Sequence, residues 1–167
     1  WHTETKYINV LPLKGGINYD FKDVKLIHGV RLKLILDKIR ILDDKEFFLK
    51  RKGDFVFRAL VLPDKNKKLI KEIQIPEKGV IKRSDKPGRN DIDLGITLFE
   101  GIAQESLLFV IQGTEKDVIS PDDKLNRYQR YFTGNPQKWF GRYSPTNGYL
   151  VKEDVGDWQV WYRIVRM

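Results

Sequence analysis

Hydrophobic residues in this chain recur mostly at every second position, and that period constrains the fold more than any other feature. Ile92, Leu94, Ile96 and Leu98 alternate with Asp93, Gly95 and Thr97, the pattern of a strand with one buried face. Near the end of the chain, Trp158, Val160, Tyr162 and Ile164 share one face, and Gln159, Trp161, Arg163 and Val165 share the other. Such β-branched and aromatic residues favour a strand. From Val30 to Leu42 the alternation slips. Val30, Leu32, Leu34 and Leu36 share one phase, whereas Ile39 and Ile41 fall in the other. A one-residue slip would turn half of the strand inside out, so it predicts a bulge or bend near Asp37. Residues 54–62 and 69–75 read as further strands, 7–11 as a weaker one, and the apolar run at 107–112 as a strand buried on both faces.

Turn chemistry separates these segments. Lys14-Gly15-Gly16, Arg51-Lys52-Gly53, Pro63-Asp64-Lys65-Asn66, Lys86-Pro87-Gly88 and Asn147-Gly148 all punctuate the pattern. Strands in close succession with little helix between them have the rhythm of an all-β sandwich. One helix is predicted at about 121–132. Ser120 supplies an N-cap hydroxyl, Pro121 the first helical position, and Asp122 and Asp123 the acids of the first turn. Leu125, Tyr128 and Phe132 follow at helical spacing, and Thr133-Gly134-Asn135-Pro136 stops the run. The expected fold is an all-β, single antiparallel Greek-key sandwich. Residues 1–167 form one domain, and the short helix precedes the last two strands.

Composition narrows function by exclusion. The chain has 167 residues, no Cys and only two His, His2 and His28. That removes disulfides, thiolate nucleophiles and Cys-ligated metals. No glycine-rich phosphate loop or nucleophile elbow is present, and His28 has no evident group beside it to orient it as a base. The longest apolar run, 107–111, is far short of a membrane span. A non-enzymatic role is therefore expected, with no cofactor. Lys plus Arg is 31 against 23 acids, a formal charge of +8, which points to an anionic partner or a well-solvated surface.

The stretch from Leu34 to Ile75 contains Ile39-Arg40-Ile41-Leu42-Asp43-Asp44, then Gly53-Asp54-Phe55-Val56-Phe57, then Leu60-Val61-Leu62-Pro63-Asp64-Lys65-Asn66-Lys67-Lys68. This order resembles the calcium- and phospholipid-binding sandwich domains of synaptotagmin and protein kinase C. The resemblance covers about a quarter of the chain. It implies an antiparallel sandwich with ligand loops at one end, calcium held by Asp43, Asp44, Asp54 and Asp117, and a basic strand facing acidic phospholipid headgroups. Calcium takes six to eight oxygens. The family's Asp-x-Asp pair is missing after the buried strand, where Gln112-Gly113-Thr114-Glu115-Lys116-Asp117 stands instead.

Two kinds of surface remain as binding candidates. Lys50, Arg51 and Lys52, with Lys65, Lys67, Lys68 and Lys71, form basic clusters suited to an anionic surface or a partner protein; lysines also guard exposed edge strands. Arg127, Arg130, Lys138, Trp139, Arg142 and Tyr143 interleave cations with aromatics between residues 127 and 149. That mixture suits nucleic acid or carbohydrate, and equally a small satellite core under the helix. Trp139 and Tyr143 are expected to be the exposed aromatics.

Overall fold

The computed structural model describes residues 5–7, 27–44, 52–69, 71–117, 120–145 and 152–167. Its strands are, in chain order, β1 (Thr5–Tyr7), β2 (Ile27–Ile41), β3 (Gly53–Pro63), β4 (Lys71–Ile75), β5 (Ile81–Arg83), β6 (Asp91–Ala103), β7 (Ser106–Glu115), β8 (Asp123–Lys124), β9 (Tyr128–Thr133), β10 (Gly141–Tyr143) and β11 (Trp158–Arg166). The turns expected at residues 14–16 and 147–148, and residues 8–11 of the weaker strand, lie outside the described residues.

Two antiparallel sheets face each other. In the first, β2 lies between β6 and β11, with β10 beyond β11 and β1 pairing the start of β2. In the second, β3 and β7 are central; β4 and β5 share the outer edge of β3, and β8 and β9 that of β7. Successive strands such as β2 and β3, or β6 and β7, sit in opposite sheets, while β2 pairs with β6 and β3 with β7. This is the crossed connectivity of a Greek-key sandwich.

The period-two residues fill the space between the sheets. Leu32, Leu34, Leu36, Ile39 and Ile41 of β2 meet Phe55, Phe57, Ala59 and Val61 of β3 in one buried cluster. Across the layers, the Phe57 and Trp158 rings stand 5.3 Å apart and the Phe109 and Tyr162 rings 4.8 Å, both edge-on, a favoured aromatic geometry. The bulge expected near Asp37 is at that residue. Lys38 pairs with Trp161 and Leu36 with Tyr162, so Asp37 is left over against β11, and the pairing with β6 shifts at the same place. One extra residue lets Leu36 and Ile39 both point inward. Opposite it, Gly95 takes a φ of +80°, which glycine adopts without steric cost.

The helix expected at 121–132 does not form. Residues 123–124 and 128–133 are strands β8 and β9 instead. The capping groups are used otherwise: the Ser120 hydroxyl bonds to the Asp117 carboxylate, and Asp122 accepts from Lys116 Nζ and from the Asp117 amide. Tyr128, Arg130 and Phe132 lie on the inner side of β9, whereas Gln129, Tyr131 and Thr133 are exposed. Among the described residues, the helical elements are two 3₁₀ turns, Lys67–Leu69 and Pro136–Trp139.

Candidate functional site

The register of the second sheet separates the expected site residues. β3 and β7 run the length of the sandwich, so Asp54 and Glu115 lie at one end, and the turn after Pro63 lies at the other with Ser106. At roughly 3.3 Å per residue the ends are about 30 Å apart. Lys65, Lys67 and Lys68 are exposed on that far turn, and Lys71 is exposed at the start of β4 beside Val61. Lys52 is exposed at the opposite end, just before β3, so it does not join them. Lys50 and Arg51 lie outside the described residues.

Asp64 organises the lysine turn. Asp64 and Lys65 both adopt left-handed backbone, with φ of 51° and 56°. This turn brings the Asp64 carboxylate onto the β6–β7 connection, where it accepts from the amides of Gln104, Glu105 and Ser106 at 2.7 to 3.1 Å. The Asp64 amide in turn donates to the Ser106 carbonyl at 2.8 Å. A carboxylate satisfied by backbone is withdrawn from the neighbouring ammonium groups. Among the described residues, no carboxylate forms an ion pair with Lys65, Lys67, Lys68 or Lys71.

The other end is rich in acids, and several of them are paired with cations. Asp54 binds Lys82 at 2.8 Å, and its amide donates to Glu115 at 3.3 Å. Asp122 binds Lys116. The Arg40 guanidinium, hydrogen-bonded to Asp91 at 2.6 Å, holds that carboxyl below the usual carboxylate range. Asp43 is exposed and Asp44 buried just after β2, where the amides of Leu42 and Asp43 donate to the Asp157 carbonyl. The four acids expected as calcium ligands do not gather. Among the described residues, the one carboxylate group close enough to share an ion is Glu115, Asp117 and Asp123, with oxygens within 4.8 Å of one another. Of the expected set only Asp117 belongs to it.

The aromatic–basic region is also divided, by the sandwich wall. Trp139, expected to be exposed, is 4% exposed. The Pro136–Trp139 turn, capped by Asn135, folds it onto Phe132 at 5.9 Å, and its indole N–H donates to the Thr133 carbonyl at 3.2 Å. Tyr143 is half-buried and stacks on Tyr162 at 4.8 Å. Arg130 reaches inward to Glu153, which also accepts from the Tyr128 hydroxyl at 3.2 Å. That hydroxyl touches Tyr162's at 2.7 Å. Burial pushes both tyrosines well above their ordinary range. This buried cluster ties β9, β11 and Glu153 together. Arg127, Lys138 and Arg142 are exposed.

Besides the exposed Tyr131, a second aromatic that sequence reasoning did not single out lies on an outer face. Trp161 is half-buried on the outer face of the first sheet, with Lys38 Nζ 4.0 Å from its ring. The signal was present in the alternation of β11, which puts Trp158 inward and Trp161 outward. Next to Trp161 a groove of about 590 Å³ runs along the Asp37 bulge to Arg142 and Ser144. Comparison with models of known protein families and with curated proteins finds no match for the chain.

Proposed function

We propose that the protein is a non-catalytic binding module that docks on an anionic surface, of the kind made by acidic lipid headgroups, through the lysine turn at 64–71. The observation that carries this reading is the division of charge. Lys65, Lys67, Lys68 and Lys71 are exposed at one end without carboxylate partners among the described residues, while cations such as Lys82, Lys116 and Arg40 are spent in ion pairs elsewhere. The Asp64 carboxylate holds the turn in place through backbone amides, so the ammonium groups are presented on a fixed frame. Each Lys near an anionic leaflet contributes roughly 1 kcal/mol, an effect that falls off within a Debye length. No helix among the described residues is long and apolar enough to cross a membrane, and a peripheral contact needs none.

The test is co-sedimentation with vesicles of phosphatidylcholine alone or mixed with phosphatidylserine, across a salt series. Binding confined to the anionic vesicles and lost with added salt is expected. Equal binding to both vesicle types would overturn the reading.

A further inference from the structure

The groove beside Trp161 lies on the face of the first sheet turned away from the core, and its position follows from the backbone. The Asp37 bulge interrupts the pairing of β2 with both neighbours, and bulges commonly re-aim side chains next to sites. β10 is only three residues long and ends at Tyr143, paired with Tyr162. Its neighbour Ser144 and the next residue of β11, Trp161, line the groove. At about 590 Å³ it falls in the range of small-ligand sites.

Its chemistry is mixed in a particular way. Arg142 is paired directly opposite Arg163. Trp158, Val160, Tyr162 and Ile164 point inward, so Arg163 and its partner Arg142 share the outer face. Like charges directly opposite each other on a sheet are unfavourable. One of the two is neutralised: Arg163 Nε donates to Asp37 at 3.2 Å, both side chains being more than a third exposed. Arg142 is exposed and has no carboxylate partner among the described residues. The Trp161 ring attracts cations, with Lys38 at 4.0 Å and Arg40 at 5.0 Å from its centroid. The same negative ring face attracts the polarised C–H face of a sugar.

We infer that this groove is a binding site for an acidic saccharide. The ring of one sugar unit lies against Trp161 in place of the Lys38 ammonium, which keeps its ion pair with Asp91 at 3.6 Å. Its carboxylate or sulfate meets Arg142, and its hydroxyls donate to Asp37 and Asp93. A hydroxyl-rich ligand satisfies carboxylates and guanidinium groups together. A polyphosphate backbone is disfavoured, because it offers no hydroxyls to donate to Asp37 and Asp93. An apolar ligand is disfavoured, because it leaves the five charged side chains that line the groove without water.

The test is calorimetric titration of the whole protein with tetramers of galacturonate, sulfated galactose and glucose, and with an oligothymidylate. An acidic tetramer is expected to bind at least about tenfold more tightly than the glucose tetramer. Trp161→Ala and the exposed Arg142→Gln should each lower that affinity about tenfold, and Arg142→Gln should abolish the preference for acidic over neutral sugar. Absence of binding by both acidic tetramers at millimolar concentration overturns the inference. So does unchanged affinity in Arg142→Gln with the fold intact by circular dichroism, or tighter binding of the oligothymidylate.

Discussion

The two ends of the sandwich use charge in opposite ways. At the end marked by Asp54 and Asp91, carboxylates and cations neutralise each other: Asp54 with Lys82, Asp122 with Lys116, Asp91 with Arg40 and Lys38. At the end marked by Asp64, the carboxylate is used on backbone amides, and the lysines beside it are left to solvent. A net charge of +8 therefore says little by itself, because paired charges cancel locally and only the remainder reaches outward. At the acidic end much of the charge is tied into the fold, although Lys52, Lys86, Arg89 and Lys124 are exposed there and form no ion pair among the described residues; at the lysine end all four lysines are left to solvent.

That contrast can be broken or sharpened in several ways. The largest effect is expected in the core that both ends share. Tyr128 and Tyr162 are buried against each other with Glu153, Arg130 and Tyr143 around them, and burial raises the pKa of both hydroxyls. Their neutral form is the one the fold accepts. The stability this contributes is complete below the unfolded value of about 10 and is lost as pH rises above it. The urea midpoint should be flat from neutral pH to about 9.5 and fall steeply beyond 10, with a smaller fall in Tyr162→Phe. A midpoint that stays flat into strong alkali would contradict the burial of this cluster.

Next in size is Gly113→Ala. A Cβ there stands 2.7 Å from the Phe57 ring and 2.8 Å from Leu125, so the layer beneath Trp158 must shift. Overpacking of this kind costs about 1–3 kcal/mol, measurable by urea unfolding. Asp64→Ala leaves the three amides of the 104–106 turn without their acceptor. A loss of about 2 kcal/mol is expected, together with weaker vesicle binding because the lysine turn loses its frame. If Asp64→Ala unfolds at the wild-type urea midpoint, the frame is not what holds the turn. Smallest is Lys82→Ala. It breaks an ion pair whose lysine is 66% exposed, and exposed pairs contribute less than about 1 kcal/mol.

Much of the fold was legible in the alternation. The slip between Leu36 and Ile39 located the Asp37 bulge, because a strand with one buried face tolerates no other account of two adjacent phases. The run at 107–111 marked β7, which is central in its sheet with Leu107, Phe109, Val110 and Ile111 all buried. The helix failed for an equally local reason. Tyr128 and Phe132 are four apart, a spacing that fits a helix and also alternate positions of a strand. The position between them holds Arg130, whose charge hid the period of two. Only the tertiary partner Glu153 explains an arginine there. The lysine cluster at 65–71 was readable as a run, but the separation of Lys52 from it required the sheet register. Trp139 was misjudged as exposed because Asn135-Pro136 was read as a stop, whereas it caps and starts the Pro136–Trp139 turn that folds Trp139 back onto Phe132.

The division of labour between the ends is tested most directly by two charge-matched variants. In one, Lys65, Lys67, Lys68 and Lys71 are changed to Gln; in the other, Lys52, Lys82, Lys116 and Lys124. Each variant removes four positive charges and lowers the formal charge equally. Co-sedimentation with phosphatidylserine-containing vesicles is measured beside urea unfolding for both. The lysine-end variant is expected to lose binding by two to three orders of magnitude, from roughly 1 kcal/mol per Lys, with its stability within about 0.5 kcal/mol of wild type. The acidic-end variant is expected to keep most of its binding while its unfolding midpoint falls. Equal loss of binding in the two variants would show that overall charge, and not its placement, governs attachment, and would contradict the account.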